Sequence, residues 1–394
     1  MKKNAKRQKL SKKSEAETAH ENENETTMDE LDIEVKKPTE SVLIVAGTYE
    51  RLLYGLVASY DTENSELKIV PRFIMPSHIN CVTTVSIGKK FLASGSADEN
   101  FFNKLVFFFF FRLFDLKRQK ELGSLHEHAG TISKLEFFGS SHLISASTDA
   151  KIIIFRTKDW EVLKVLRGHL KPINDISIHP SGKLAISVAQ DYTAILWNLL
   201  TGQKSMRTKL GYEGQLIRFN SAGDFYAISD KSNNVYVYSI TKAASQAQFL
   251  MKSRILDFVF VSHVGEDDSK KDYILVAAEN KSVHLFDPVS SNLIGSVKLH
   301  DNRLVIFLLF IALIKGVCKT SILDNNETTV ELLVTVSSDS KVKVWSLNSI
   351  LENILHSSKK DKSESNTNLA TLAEFDSGCR LTCVAASVDP LSYK

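Results

Sequence analysis

The sequence predicts an all-β fold, a seven-bladed β-propeller behind a disordered, charged N-terminal tail. Three observations carry that expectation. A unit of about 40 residues recurs along most of the chain. Each unit consists of short β-branched and aromatic runs separated by Gly, Asp, Asn and Ser, with no sustained helical period. The first 40 residues share none of this pattern.

Residues 1–40 hold nine Lys/Arg and ten Asp/Glu with Leu, Ile and Val almost absent, too little apolar surface to offset chain entropy. The charges are segregated. Lys2, Lys3, Lys6, Arg7, Lys9, Lys12 and Lys13 come first, and nine acidic residues follow between Glu15 and Glu34 with no Lys or Arg among them. The basic cluster reads as a nuclear or nucleolar localisation signal, against the plainer reading of a solvated charge run.

The repeat is anchored by an aspartate followed six residues later by an aromatic: Asp149 and Phe155, Asp191 and Trp197, Asp339 and Trp345. A hydroxyl residue stands four before each aspartate, namely Ser145, Ser187 and Thr335, and a histidine opens each unit at His128, His169 and His300. Degenerate copies set Ser232 before Tyr238 and Asn280 before Phe286. This is the pattern of a WD40 blade. In such a blade the aspartate sits in the turn between the second and third strands and accepts from the histidine. The histidine ring reaches the hydroxyl, and the hydroxyl reaches the Trp indole. His169, Ser187, Asp191 and Trp197 form the complete set. A serine, a histidine and an aspartate also suggest catalysis, but a hydroxyl inside a blade has no oxyanion donors around it.

The anchors give blades from Ser77, His126, Gly168, Gly211, Met251 and His300 onward, and Val42–Pro71 supplies three strands of a first blade. The propeller thus covers 41–388, with 379–388 returning from the far end to close blade 1 and remove the ring's exposed seam. Two apolar segments, 102–111 and 304–313, exceed the repeat by about ten residues each. Runs of this length are roughly half the ~20 residues that cross a bilayer, so no membrane partner is expected. Their Phe, Leu, Ile and Val share a codon base, so both segments read as retained, translated intron sequence or gene-model errors; the alternative is that they are integral.

Composition narrows the function classes. With 49 Lys+Arg against 46 Asp+Glu, the net charge of +3 gives no strong signal for direct nucleic-acid binding. Four scattered cysteines suit a reduced compartment rather than a disulfide framework, and Cys379 and Cys383 lack the second pair a zinc site needs. No phosphate-cradling glycine loop, carboxylate pair or metal-ligand cluster stands out, so no enzyme, cofactor or metal is expected. Partner contacts are expected at the rim where the histidine-led loops and aspartate turns emerge, at Thr148, Lys171, Gln190, Tyr192 and Ser338. These five also read simply as exposed turn residues.

Several runs go beyond the general repeat: Ala46-Gly-Thr-Tyr-Glu-Arg-Leu-Leu-Tyr-Gly55, Phe91-Leu-Ala-Ser-Gly-Ser-Ala-Asp98, Trp160-Glu-Val-Leu-Lys164, Ser177-Ile-His-Pro-Ser-Gly-Lys-Leu-Ala-Ile-Ser187 and Arg380-Leu-Thr-Cys383. Through them the chain resembles the WD-repeat family that includes the animal p21-activated kinase (PAK)-interacting protein and the fungal Mak-type 60S ribosome assembly factor. The resemblance implies a non-enzymatic scaffold in the nucleus and nucleolus. Its implied partners are proteins of the pre-60S ribosomal particle, including a ribosomal-protein-like factor. It also implies binding and restraint of a PAK-type kinase.

Overall fold

A run such as Ile152-Ile153-Ile154-Phe155, buried at every position, is stable only in a strand covered on both faces. Sheets stacked side by side round an axis provide that cover. The computed structural model describes residues 41–60, 66–102, 106–240, 245–264, 270–300, 309–310, 321–323, 329–357 and 370–389. They form seven antiparallel sheets, the blades of a propeller. From the inner strand outward, blade 1 holds Leu381–Val388, Val42–Thr48, Leu52–Tyr60 and Leu67–Pro76. Blades 2 to 6 follow in chain order with inner strands Val82–Ile87, Ile132–Phe138, Ile173–Ile178, Gly214–Phe219 and Ile255–Val264. Outer strands meet solvent on one side, as the largely exposed Gln203–Lys209 shows.

Blade 1 joins the two ends of the propeller. Val42 pairs with Val388 and Thr48 with Leu381, and a Cβ on Gly47 would lie 2.5 Å from Cys383 Sγ, so only glycine admits the incoming strand. Beyond that strand Asp389, buried, takes Arg72 on both carboxylate oxygens at 2.6 and 2.5 Å and the Ser41 hydroxyl at 3.1 Å.

Inner strands turn an edge toward the axis with no further strand to pair it, and between blades 1 and 5 side chains of one inner strand bond the backbone of the next. Thr84 Oγ1 accepts from Leu135 N–H at 3.4 Å, Ser86 Oγ from Phe137 N–H at 3.1 Å and Asp175 Oδ2 from Ile217 N–H at 3.0 Å. In the other sense Asn174 Nδ2 donates to Gly214 O at 2.7 Å and Thr382 Oγ1 to Val82 O at 2.6 Å. Arg218 adds a tie across three blades, its guanidinium donating to Asp175 at 2.5 Å and to Asp257 at 2.9 Å.

One element was not expected from the sequence. A helix, Leu347–Ser357, joins the all-β pattern, burying Leu347, Ile350, Leu351 and Ile354 against blades 6 and 7. Ile354 fills the space left by Gly295, where a Cβ would stand 2.8 Å from its Cγ2. Glu99 to Phe102 pair with Val106 to Phe109 as a continuation of the blade 2 hairpin, while Phe110 and Phe111 are buried in the blade itself. Most of 304–313 lies outside the described residues, but Leu309–Phe310 within it pairs with Leu333 and Val334 as the inner strand of blade 7. The tail 1–40 also lies outside the described residues.

The clasp makes the ring's stability depend on one carboxylate. Asp389→Ala should leave Arg72 facing a buried gap and lower unfolding free energy by about 2 kcal/mol. Urea midpoints of the variant and the parent, compared at constant slope, check this.

Candidate functional site

The turns between second and third strands share one conformation. The residue after the aspartate position is left-handed at Arg51, Ala150, Tyr192, Asn233, Lys281 and Ser340, with φ between 59° and 74°. That geometry lets the aspartate side chain fold back onto its own turn. Asp149 accepts from Lys151 N–H at 3.0 Å and Asp191 from Thr193 N–H at 3.2 Å.

In blade 4 the network is a one-way chain. An indole can only donate and a carboxylate can only accept, so direction is fixed. Trp197 Nε1–H donates to Ser187 Oγ at 2.8 Å, the Ser187 hydroxyl donates to His169 Nε2 at 2.7 Å, and His169 Nδ1–H reaches both Asp191 oxygens at 3.2 Å. Asp191 also receives Leu170 N–H at 3.0 Å, Thr193 Oγ1–H at 2.7 Å and Arg207 at 3.2 Å. Ser187 is fully buried with its oxygen engaged by the indole, so the trio is a clamp between loop, strand and turn. Blade 3 repeats it without the indole: His128 lies 2.7 Å from Ser145 and 3.1 Å from Asp149, and Phe155 packs where Trp stands elsewhere. In blade 7 Trp345 and His300 meet Thr335 at 2.8 and 2.9 Å, but His300 Nδ1 stands 3.7 Å from Asp339, beyond hydrogen-bond reach.

The sequence reading missed several partners. His78 meets Ser94 at 2.8 Å in blade 2, sixteen residues apart where His128 and Ser145 are seventeen, a spacing legible in the sequence. In blade 5 the turn acceptor is Asp230, which takes Asn234 N–H at 2.7 Å and its Nδ2 at 2.8 Å; Ser232 is an exposed turn residue. The Arg218 tie carries no signal in the repeat.

Burial lowers the pKa of His169, with Asp191 only partly offsetting it, and pushes His300 down to about 4. Burial would raise Asp191, but hydrogen bonds from Thr193, Leu170 and His169 outweigh it and hold the carboxyl below its usual range. Asp149 is likewise lowered, burial being overcome by His128 and two backbone N–H groups. On the inner strand of blade 3 burial pushes the Glu136 carboxyl up to about 7, Lys134 and Arg218 countering only part of it.

The five contact candidates occupy one face. Thr148, Gln190, Tyr192 and Ser338 lie in the aspartate turns and Lys171 in a histidine-led loop. Thr148, Lys171, Gln190 and Tyr192 are exposed on neighbouring blades 3 and 4, and Ser338 on blade 7 is half-buried. Lys171 Nζ stands 6.0 Å over the Tyr192 ring beside the 78% exposed Leu170. Tyr49, with Arg380 stacked on it at 5.5 Å, and Ile79 add apolar surface on blades 1 and 2. Lys2, Lys3, Lys6, Arg7, Lys9, Lys12 and Lys13 lie outside the described residues. Among the described residues no group of three or more His, Cys, Asp or Glu is placed to hold a metal ion, and no helix is long and apolar enough to cross a membrane.

Residues 160–198 match the WD domain, G-beta repeat family. Across most of its length the chain is similar to a p21-activated protein kinase-interacting protein 1-like protein of Danio rerio, 31% identical over 86% of this chain and 79% of the relative. It is 28% identical to Protein MAK11 of Saccharomyces cerevisiae over 86% of this chain and 82% of that one. With Shk1 kinase-binding protein 15 of Schizosaccharomyces pombe it shares 22% over 87% and 83%.

Two outcomes follow. Asp191→Ala should cost about 1 to 3 kcal/mol, and Ser232→Ala should stay within about 0.5 kcal/mol of the parent in the same urea titration. The second concerns pH. His169 and His300 resist protonation when folded, so their contribution is full above about pH 6.5 and is lost on acidification, for His300 down to about 4. Glu136 has the opposite sign, because its folded pKa is raised: its contribution is present below about 4.3 and lost as pH rises to about 7. Against the parent, His300→Gln should hold its midpoint better on acidification from pH 7 to 5, and Glu136→Gln should hold it worse.

Proposed function

This chain belongs to the family of p21-activated protein kinase-interacting protein 1-like WD-repeat proteins, and on that premise we propose that it is a non-enzymatic scaffold in the assembly of the large ribosomal subunit, acting in the nucleolus. The observation that carries the scaffold reading is the upper rim. Leu170, Tyr192 and Ile79 stand exposed beside the buried clamps of blades 4 and 2, with Tyr49 exposed on the blade 1 turn, and rigid aromatic and aliphatic anchors are what a protein partner docks on. Support for the ribosomal part comes from the family-specific runs and from the basic cluster Lys2 to Lys13, which suits a nuclear address. The partners in this reading are pre-60S proteins, among them a ribosomal-protein-like factor. A second reading, binding and restraint of a PAK-type kinase, is favoured by the kinase-interacting and kinase-binding names that relatives carry.

Depletion followed by a sucrose gradient tests the two. The ribosomal reading expects free 60S subunits to fall relative to 40S and the protein to sediment with large-subunit precursors. An unchanged ratio with raised kinase activity favours the second. The rim is tested by Leu170→Asp combined with Tyr192→Asn, which should abolish co-sedimentation while stability stays within about 0.5 kcal/mol per site.

A further inference from the structure

The face opposite the rim has a different chemistry at the corner where blades 2 and 3 meet. In blade 2 the turn joining the first two strands carries Lys89 and Lys90, and the turn joining the last two carries Lys117, Arg118 and Lys120, all exposed. The turns are adjacent, since Leu116 N–H donates to Lys90 O at 2.9 Å and Asp115 pairs with both Phe91 and Lys120. Blade 3 contributes exposed Lys158 from the turn that packs on this corner through an edge-to-face contact of Trp160 with Phe91, centroids 5.1 Å apart.

Nearby carboxylates do not neutralise these cations. Glu121 is held by Arg112 at 2.6 Å, Asp159 and Glu161 by Arg156 at 2.6 and 2.5 Å, and Asp115 caps the N–H groups of Lys117 and Arg118 with Arg118 Nε 3.9 Å away. Among the described residues Lys89, Lys90, Lys117, Lys120 and Lys158 make no ion pair.

Trp160 is the second observation. Its φ is +61°, and the same turn in blades 2, 4 and 6 places Gln119, Gly202 and Ser291 at this left-handed position. A bulky aromatic there is strained by about 1 to 2 kcal/mol; the Trp160 side chain packs on Phe91 and the core between blades 2 and 3 yet stays partly exposed at the corner that carries the lysines. Protein interfaces are depleted of lysine, whereas a lysine cluster around an accessible aromatic is the composition that tracks a phosphate backbone and stacks a base. We propose that this corner binds single-stranded RNA, with Lys89, Lys90, Lys117, Arg118, Lys120 and Lys158 on phosphates and Trp160 stacked on a base. The inference goes beyond the assembly reading and does not depend on it, because the purified protein alone tests it.

Of the three tryptophans, Trp197 and Trp345 are 2% and 3% exposed, so a ligand-induced change in fluorescence reports on Trp160. Titrating the full chain with a fluorescein-labelled 20-nucleotide oligouridylate should quench that emission and raise the label's anisotropy. The slope of log K against log salt should be about −4, roughly −0.7 for each of the phosphates engaged. Lys89→Glu with Lys90→Glu and Lys117→Glu should weaken binding by about tenfold or more, and Trp160→Asn by roughly fivefold while keeping the salt slope. Undiminished anisotropy with the charge-reversed variant, which would put the binding on the Lys2 to Lys13 cluster, overturns the proposal. So does equal binding of an oligoglutamate of the same charge, or RNA binding without quenching.

Discussion

Every blade turns one unpaired strand edge toward the axis, and satisfying those edges is the constraint on which the ring depends. A buried N–H or C=O without a partner costs about 1 to 3 kcal/mol, and seven inner strands multiply that cost. The inner strands here lend side chains to their successors: Thr84 and Ser86 to blade 3, Asp175 to blade 5, Thr382 to blade 2. Where one inner strand completes the next, each junction relies on its neighbour being in place, so an open end would leave such an edge unsatisfied. Hence the strand Leu381–Val388 returns beside Val42–Thr48, and Asp389, Arg72 and Ser41 lock the junction.

Two kinds of buried polar device serve this ring. The clamps at the rim tie a loop and a turn to the second strand of their own blade. In blade 4 the chain from Trp197 through Ser187 and His169 to Asp191 leaves no donor or acceptor idle along its length. Arg218 instead works between blades, supplying the positive charge for two buried carboxylates that otherwise have only backbone N–H groups as partners. The first device makes turns rigid enough to present side chains, and the second fixes how neighbouring blades sit. Titration links them, since buried histidines and the inner-strand Glu136 respond to acid with opposite signs.

The two faces consequently differ in what they offer. On the upper rim, Leu170, Tyr192 and Ile79 present apolar surface beside clamped turns, and Tyr49 adds to it from blade 1. On the lower corner, lysines from two blades converge because the contact between Trp160 and Phe91 brings their turns together. A net charge of +3 conceals that corner entirely, since whole-chain charge says nothing of where the charges gather.

Sequence by itself determined the repeat, the strands and the blade number, because alternation, turn residues and a period of about 40 residues are local signals. It also placed the aspartate turns and the His, Ser and Trp partners, whose spacing within one blade is nearly constant. The helix Leu347–Ser357 was legible too, through apolar residues at 347, 350, 351, 354 and 355, but it is short enough to be lost among strand signals. Tertiary structure alone decided the rest. Asp175, Arg218 and Asp257 lie about 40 residues apart in sequence and meet only because inner strands converge on an axis. Phe111 sits inside an apolar run, and only its register against Gly95 and Leu125 assigns it to the core. The physical reason is the same in each case: contacts between blades depend on how seven sheets are set round a circle, and no period along the chain encodes that angle.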